Sequence, residues 1–265
     1  MQSLSDKTVI ITGAAGGLGQ SMVWQFLRER CKLILSDLDE EKLRSATKDT
    51  LDRHGLPLGE GILGYIAADL SSSVGCGALY TKSQYIAPSI DILVNNAGMS
   101  APGRFLDIPK ERWHSVLHVN LIAPVELTAH FLPAMIKRRS GHIVNVASVA
   151  SYVAPPGLTA YCTSKFGLRG LSESLAVDVQ PYGVDVTTIY PLFARTGILH
   201  APHYGERPRG RIPDFLFYEP DFIISELVKN MKRRKRSVYP GWKTKTIIVV
   251  QRLFPNFIPF LFARI

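Results

Sequence analysis

A single-domain, doubly wound parallel α/β sheet is the fold the sequence predicts, and three observations predict it. Six short runs rich in Val and Ile recur along the chain and are apolar on both faces, as strands buried between two helix layers are. The segments between them are long enough to carry crossover helices. No internal repeat, low-complexity tract or linker interrupts the 265 residues, so one domain accounts for them.

The first run, KTVIITG (7–13), is followed by TGAAGGLGQ. Gly13, Gly17 and Gly19 lie in G-x-x-x-G-x-G spacing before a helix that begins near Leu18. Glycines allow the tight turn and a close backbone approach to a pyrophosphate, and the helix start offers free N–H groups to the phosphates. The second run, CKLILSD (31–37), ends on Asp37. A carboxylate there accepts hydrogen bonds from adenosine ribose hydroxyls and repels a 2′-phosphate. Ala14, Ala15 and Gly16 fill the turn without a cation, so NAD(H) is expected over NADP(H). Capping of the helix starting near Glu40 is a competing role for Asp37, for which Asp39 is an equal candidate.

The remaining runs are GYIAADL (64–70), IDILVNNAG (90–98), GHIVNVAS (141–148) and GVDVTTIYP (183–191), with SVYPG as a last short strand. Between them, HVNLIAPVEL reads as helix, with Pro124 four residues after Asn120. Proline has no N–H, so the Asn120 carbonyl loses its helical partner. LTAYCTSKFGL (158–168) also reads as helix and places Tyr161 and Lys165 one turn apart on one face. Tyrosine alone, with a pKa of about 10, is a weak base at neutral pH. A cation roughly 4 Å away at an effective dielectric of about 20 favours the phenolate by about 4 kcal/mol. Lys165 is therefore expected to bring Tyr161 toward the working pH. Ser148 ends its strand where ligands of such sheets gather, and its hydroxyl can donate to an oxygen that gains charge.

In this order, T-G-x-x-x-G-x-G (12–19), Asp69, N-N-A-G (95–98), Asn120, Ser148 and Y-x-x-x-K (161–165) make the chain resemble the short-chain dehydrogenase/reductase family over about residues 5–240. The resemblance implies a Rossmann-like subunit, a nicotinamide cofactor and hydride transfer between an alcohol and a carbonyl. It implies catalytic roles for Asn120, Ser148, Tyr161 and Lys165. It also implies cofactor contacts or support from Asp69 and Asn96, nicotinamide-ribose binding by Lys165, and carboxamide binding by Thr196. The Asn120 carbonyl would hold a water linking Lys165 to solvent. The family's Pro-Gly after the sixth strand is Pro191-Leu192 here, which predicts a reshaped loop on the nicotinamide side.

Residues 197–220 mix aromatic and apolar side chains with Arg207, Arg209 and Arg211, which suits a lid over a large apolar substrate. Steroid, retinoid and long-chain lipid alcohols or ketones fit that loop. An NADP(H) ketoreductase such as a 3-oxoacyl reductase, and a non-catalytic lipid-surface scaffold, are the rival readings. His200 and His203 lack companion ligands, so no metal is expected.

The chain is 46% hydrophobic and carries a net charge of +9. Residues 201–265 hold thirteen Lys/Arg against five Asp/Glu, so the excess is local. The segment 241–265 reads as an extension beyond the 1–240 catalytic domain. Its apolar stretch, 247–262, is short for a span and contains Arg252, Pro255 and Pro259. It suits an interfacial anchor on an anionic membrane surface, with the run KRRKR (232–236) beside it. No nucleic-acid motif accompanies that run. The opening MQSLSDKTVIITG has no signal-peptide layout, and Cys31, Cys76 and Cys162 form no CxxC pair. A cytoplasmic enzyme, peripheral to membrane, is expected, and as a homodimer through helices near 108–138 and 157–180.

Overall fold

The computed structural model describes residues 3–206 and 213–255. Seven parallel strands lie in the order β3-β2-β1-β4-β5-β6-β9. They are β1 (Thr8–Thr12), β2 (Lys32–Asp37), β3 (Ile62–Ala67), β4 (Ile92–Asn95), β5 (Gly141–Val146), β6 (Val184–Ile189) and β9 (Ser237–Val238). The order reverses between β1 and β4, and it is outside the carboxyl ends of strands at such a point that open α/β sheets bind ligands.

Helices cover both faces: α1 (Gly17–Arg28), α2 (Glu40–His54) and α7 (Pro220–Met231) on one, and α3 (Ser73–Ile86), α5 (Ala123–Lys137) and α6 (Thr159–Asp178) on the other. Successive strand residues point to opposite faces. Val9 and Ile11 of β1 join the first core and Ile10 the second; Leu33 and Leu35 of β2 split from Ile34 in the same way. This two-sided burial is the reason the strands read as unbroken apolar runs. β3 starts at Ile62, two residues before the expected run, because the turn ends at Gly61 with φ +76°.

α4 (Lys110–Leu117) continues through a π-turn, His118–Ile122, into α5. The continuous Lys110–Lys137 helix is long and apolar enough to cross a membrane, but Leu127, Phe131 and Met135 bury against the sheet as in a core helix. Two features escaped the sequence reading. β7 (Phe193–Ala194) and β8 (Phe217–Tyr218) pair in parallel and clamp the two ends of the substrate loop. The first half of the extension is α8 (Gly241–Leu253), whose Thr244 and Ile248 are buried. Ile248 packs with Tyr152, Tyr190 and Leu168, so this part of the 247–262 stretch covers its own domain. The rest of the apolar stretch, from residue 256 on, lies outside the described residues, as do Arg207, Arg209 and Arg211.

Candidate active site

The glycine turn is built for close approach. Gly13 has φ +64°, and a Cβ there would stand 2.7 Å from Ala97 Cα. A Cβ on Gly19 would stand 2.2 Å from the Gly13 carbonyl oxygen, and one on Gly17 would stand 2.7 Å from Thr196 Cγ2. Thr196 thus abuts the start of α1, where Leu18 also sits. Thr12, missed in the sequence reading beyond its place in the motif, is the hub behind the turn. Its hydroxyl donates to the Val94 carbonyl and accepts from the Asn96 and Ala97 amides. Asn96 Nδ2 donates to the carbonyls of Thr12 and Gly13, both at 2.9 Å, which ties β4 to the turn. Gly19→Ala forces backbone to move. It should cost about 1–3 kcal/mol in denaturant unfolding and weaken NADH binding, read by fluorescence titration, at least about tenfold.

A dinucleotide fits these residues. α1 begins with no side-chain cap and no acid in its first turn, leaving its N–H groups to a phosphate. Asp39, not Asp37, caps α2 by accepting from the Lys42 amide. Asp37 instead accepts from the amides of Ala15 (2.9 Å) and Leu38 (2.8 Å), which holds the carboxylate against the glycine turn. Arg44 is committed to Glu40 and to the Tyr65 ring, not to a 2′-phosphate position. Asp69 stands apart on an exposed loop after β3. Hydrogen bonds from Ser71, above all its amide, hold that carboxyl below the usual range.

Ser148, Tyr161, Lys165 and Asn120 gather beyond β4, β5 and β6. Ser148 is buried after β5, its Oγ accepting from the Ala150 amide at 3.1 Å. Lys165 is 4% exposed, and its Nζ donates to the Val146 carbonyl at 2.8 Å and lies 5.6 Å from the Tyr161 ring centre. Ammonium carries three donors, so two remain. Asn120 is fully buried. Its side chain is spent on Met99 N, Met99 O and Ser164 Oγ, so any link toward Lys165 falls to its main-chain carbonyl. The π-turn sits at this point: the Ala123 amide donates to His118, five residues back, and Pro124 has no N–H to offer Asn120.

Loss of water opposes the acidification of Tyr161 expected from Lys165. Loss of water pushes the phenol up to about 12, with a hydrogen bond from Ser148 acting the other way. The same loss of water lowers the Lys165 amine to about 8. Burial is the larger influence on both groups, and it acts against the acidification that helical spacing suggested.

The predicted disturbance at Leu192 is absorbed. Leu192 keeps a negative φ and packs with Val149, Tyr152 and Tyr190, while Pro191 O accepts from Val149 N at 2.8 Å. Tyr161 packs, as Met99, Trp113 and Tyr204 do, against an apolar cluster of Ala101, Ile108, Val116 and Ala160. Tyr204, from the substrate loop, is held by Arg112 at 2.9 Å and by its amide bond to Pro102 O. Its aromatic character was visible in the sequence, but nothing there told which loop aromatic would join the apolar cluster that Tyr161 packs against.

The family model described as short chain dehydrogenase matches residues 7–204. The chain belongs to the short-chain dehydrogenase family. This short-chain dehydrogenase is 34% identical over 268 residues to the "Probable oxidoreductase EphD" of Mycobacterium tuberculosis H37Rv, covering 95% of the present chain but only 44% of EphD. A short-chain dehydrogenase/reductase from Burkholderia phymatum in complex with NAD shares the fold, with a TM-score of 0.81, 24% identity, and 98% and 97% of the two chains covered. A metagenomic short-chain oxidoreductase in complex with NADP gives 0.71 and 28%, covering 89% and 97%. Of these two solved neighbours, one holds NAD and the other NADP.

Proposed function

We propose that this short-chain dehydrogenase transfers hydride between NAD(H) and a hydrophobic alcohol or ketone of the steroid, retinoid or long-chain lipid class. The observation that carries the substrate class is the apolar cluster of Ala101, Val116 and Ala160 on which Tyr161 packs together with Met99, Trp113 and Tyr204. The dinucleotide, when bound, supplies or accepts the hydride. Tyr161 carries the proton of the substrate oxygen, Ser148 donates to that oxygen, and Lys165 offers its free N–H groups to the nicotinamide ribose. Asn120 supports the relay through its carbonyl, and Gly13, Gly17, Leu18, Gly19, Asp37, Asp69, Asn96 and Thr196 hold the cofactor.

The working form is a cytoplasmic homodimer at a membrane surface. Exposed Ile122, Val125 and Phe166 on the adjoining π-turn, α5 and α6 support the pairing of two copies. The outward apolar side chains and cations of α8 support the membrane surface. The test is turnover on a panel of apolar secondary alcohols and ketones with each cofactor, with mass spectrometry of ligand retained on purification. Turnover of apolar substrates with NAD(H) is expected. Activity confined to NADPH and 3-oxoacyl thioesters replaces this reading with a ketoreductase, and no turnover of any substrate leaves a scaffold.

A further inference from the structure

A cavity of about 320 Å³ lies at the free edge of β9, between the end of α7 and the start of α8. Ser237, Val238 and Tyr239 line it from the strand side. Lys229, Arg233, Lys235 and Lys245 bring four cations to it against the single carboxylate of Glu226, which pairs with Lys229 at 3.2 Å. Neither Ser148 nor the glycine turn lines the cavity, and hydride transfer makes no use of it.

The basic run 232–236 divides in two. Lys232 pairs with Glu29 at 2.5 Å, Arg234 with Asp185 at 3.4 Å, and Arg236 donates to Gln180 at 2.5 Å. Arg233 and Lys235, the alternate members, line the cavity and are exposed, with no side-chain partner among the described residues. The negative end of the α7 dipole accounts for some attraction of cations there. It does not account for Lys245, which comes from α8, a helix with no acid in its first turn. Four cations drawn from three segments, against one carboxylate, leave positive charge for an anion to meet.

What lies next to the cavity identifies the anion's carrier. On α8, Trp242, Lys245, Val249 and Leu253 follow helical spacing along one outward stripe, opposite buried Thr244 and Ile248. Trp242 is 69% exposed and Leu253 68%. Lys243 donates to the Phe215 carbonyl and stands 4.7 Å over the Tyr218 ring, which stacks on Phe222. Exposed Phe215 and Phe222 therefore extend the apolar stripe to the rim of the substrate loop. Apolar side chains beside a pocket of cations match a lipid that carries a phosphate.

We propose that the cavity between α7, β9 and α8 takes the headgroup phosphate of an anionic phospholipid, with the outer stripe of α8 lying on the acyl chains beside it. This rests on the surface-association reading above and gives it a specific site. It also places the rim of the substrate loop at the bilayer, where an apolar alcohol or ketone is concentrated.

The test is co-flotation of the full chain with phosphatidylcholine vesicles with and without phosphatidylglycerol, beside calorimetric titration with inorganic phosphate. Wild type is expected to float only with phosphatidylglycerol. Arg233→Gln/Lys235→Gln should weaken partitioning about tenfold or more, at unchanged NADH affinity and melting temperature. Lys48→Gln/Lys82→Gln, which removes two exposed cations elsewhere, should change it less than about twofold. Flotation that survives in the first double variant, or falls equally in the second, overturns the pocket and leaves surface association standing. Absence of flotation by wild type overturns both. Binding of inorganic phosphate without flotation assigns the cavity to a free phosphate and overturns the lipid.

Discussion

Tyr161→Phe should lower kcat by about two to four orders of magnitude on any substrate the wild type turns over, while NADH binding and unfolding stability stay close to wild type. The ring stays packed against Ala101, Ile108, Val116 and Ala160, so packing is preserved and only the hydroxyl proposed to carry the proton is lost. The pH profile separates loss of the proton carrier from a packing defect. In the proposed alcohol oxidation Tyr161 gives up its proton to act as base. Burial holds it at about 12 in the cofactor-free protein, so the rate should rise with pH on this side. In carbonyl reduction Tyr161 must arrive protonated, and it does so throughout the neutral range.

Lys165, lowered to about 8, titrates in the opposite sense: it is charged below that pH and loses its ammonium as pH rises through it. The reductive kcat/KM is therefore expected to be flat near neutrality and to fall above about 8. The fall should vanish in Lys165→Met, on a lower plateau. Full turnover by Tyr161→Phe, or a rate independent of pH in both directions, would remove the tyrosine from the chemistry.

The parts of this molecule legible in the sequence are those set by local geometry and repeated burial. Strands such as VIIT and LILS are apolar on both faces because helices cover both faces, and the pattern shows it directly. Gly13 and Gly19 were readable because only a missing Cβ allows the contacts they make with Ala97 and with the turn's own carbonyl. The competition between Asp37 and Asp39 was not readable: both precede α2, and only the position of the Ala15 amide shows that Asp37 turns back to the glycine loop.

The pairing of Tyr161 and Lys165 was legible as neighbourhood but not as energy. Helical spacing brings the side chains together, whereas the amount of water removed from each decides the direction of their proton affinities. α8 was hidden for a related reason. Its apolar residues serve two surfaces, Ile248 facing the domain and Val249 facing outward, and composition does not divide them.

NADH should bind this protein roughly 30- to 100-fold more tightly than NADPH, and Asp37→Asn should erase most of that preference. The Asp37 carboxylate is fixed at the end of β2 by the Ala15 and Leu38 amides. Two unit charges about 4 Å apart at an effective dielectric of about 20 repel by about 4 kcal/mol. Asp37 is partly open to solvent, which screens the repulsion to about 2–3 kcal/mol and sets the expected ratio.

Asparagine keeps the shape and one acceptor, so one of the two amides loses its partner and the glycine loop loosens. That damage weakens both cofactors alike and cancels in their ratio. Only the like-charge term is specific to the 2′-phosphate. The ratio of dissociation constants from parallel fluorescence titrations is therefore the quantity to measure. NADH itself should lose about tenfold, since a charge-assisted bond to the ribose becomes a neutral one. Equal binding of the two cofactors by wild type would show that cations elsewhere neutralise the 2′-phosphate despite Asp37, and would return the choice of dinucleotide to residues beyond the glycine turn.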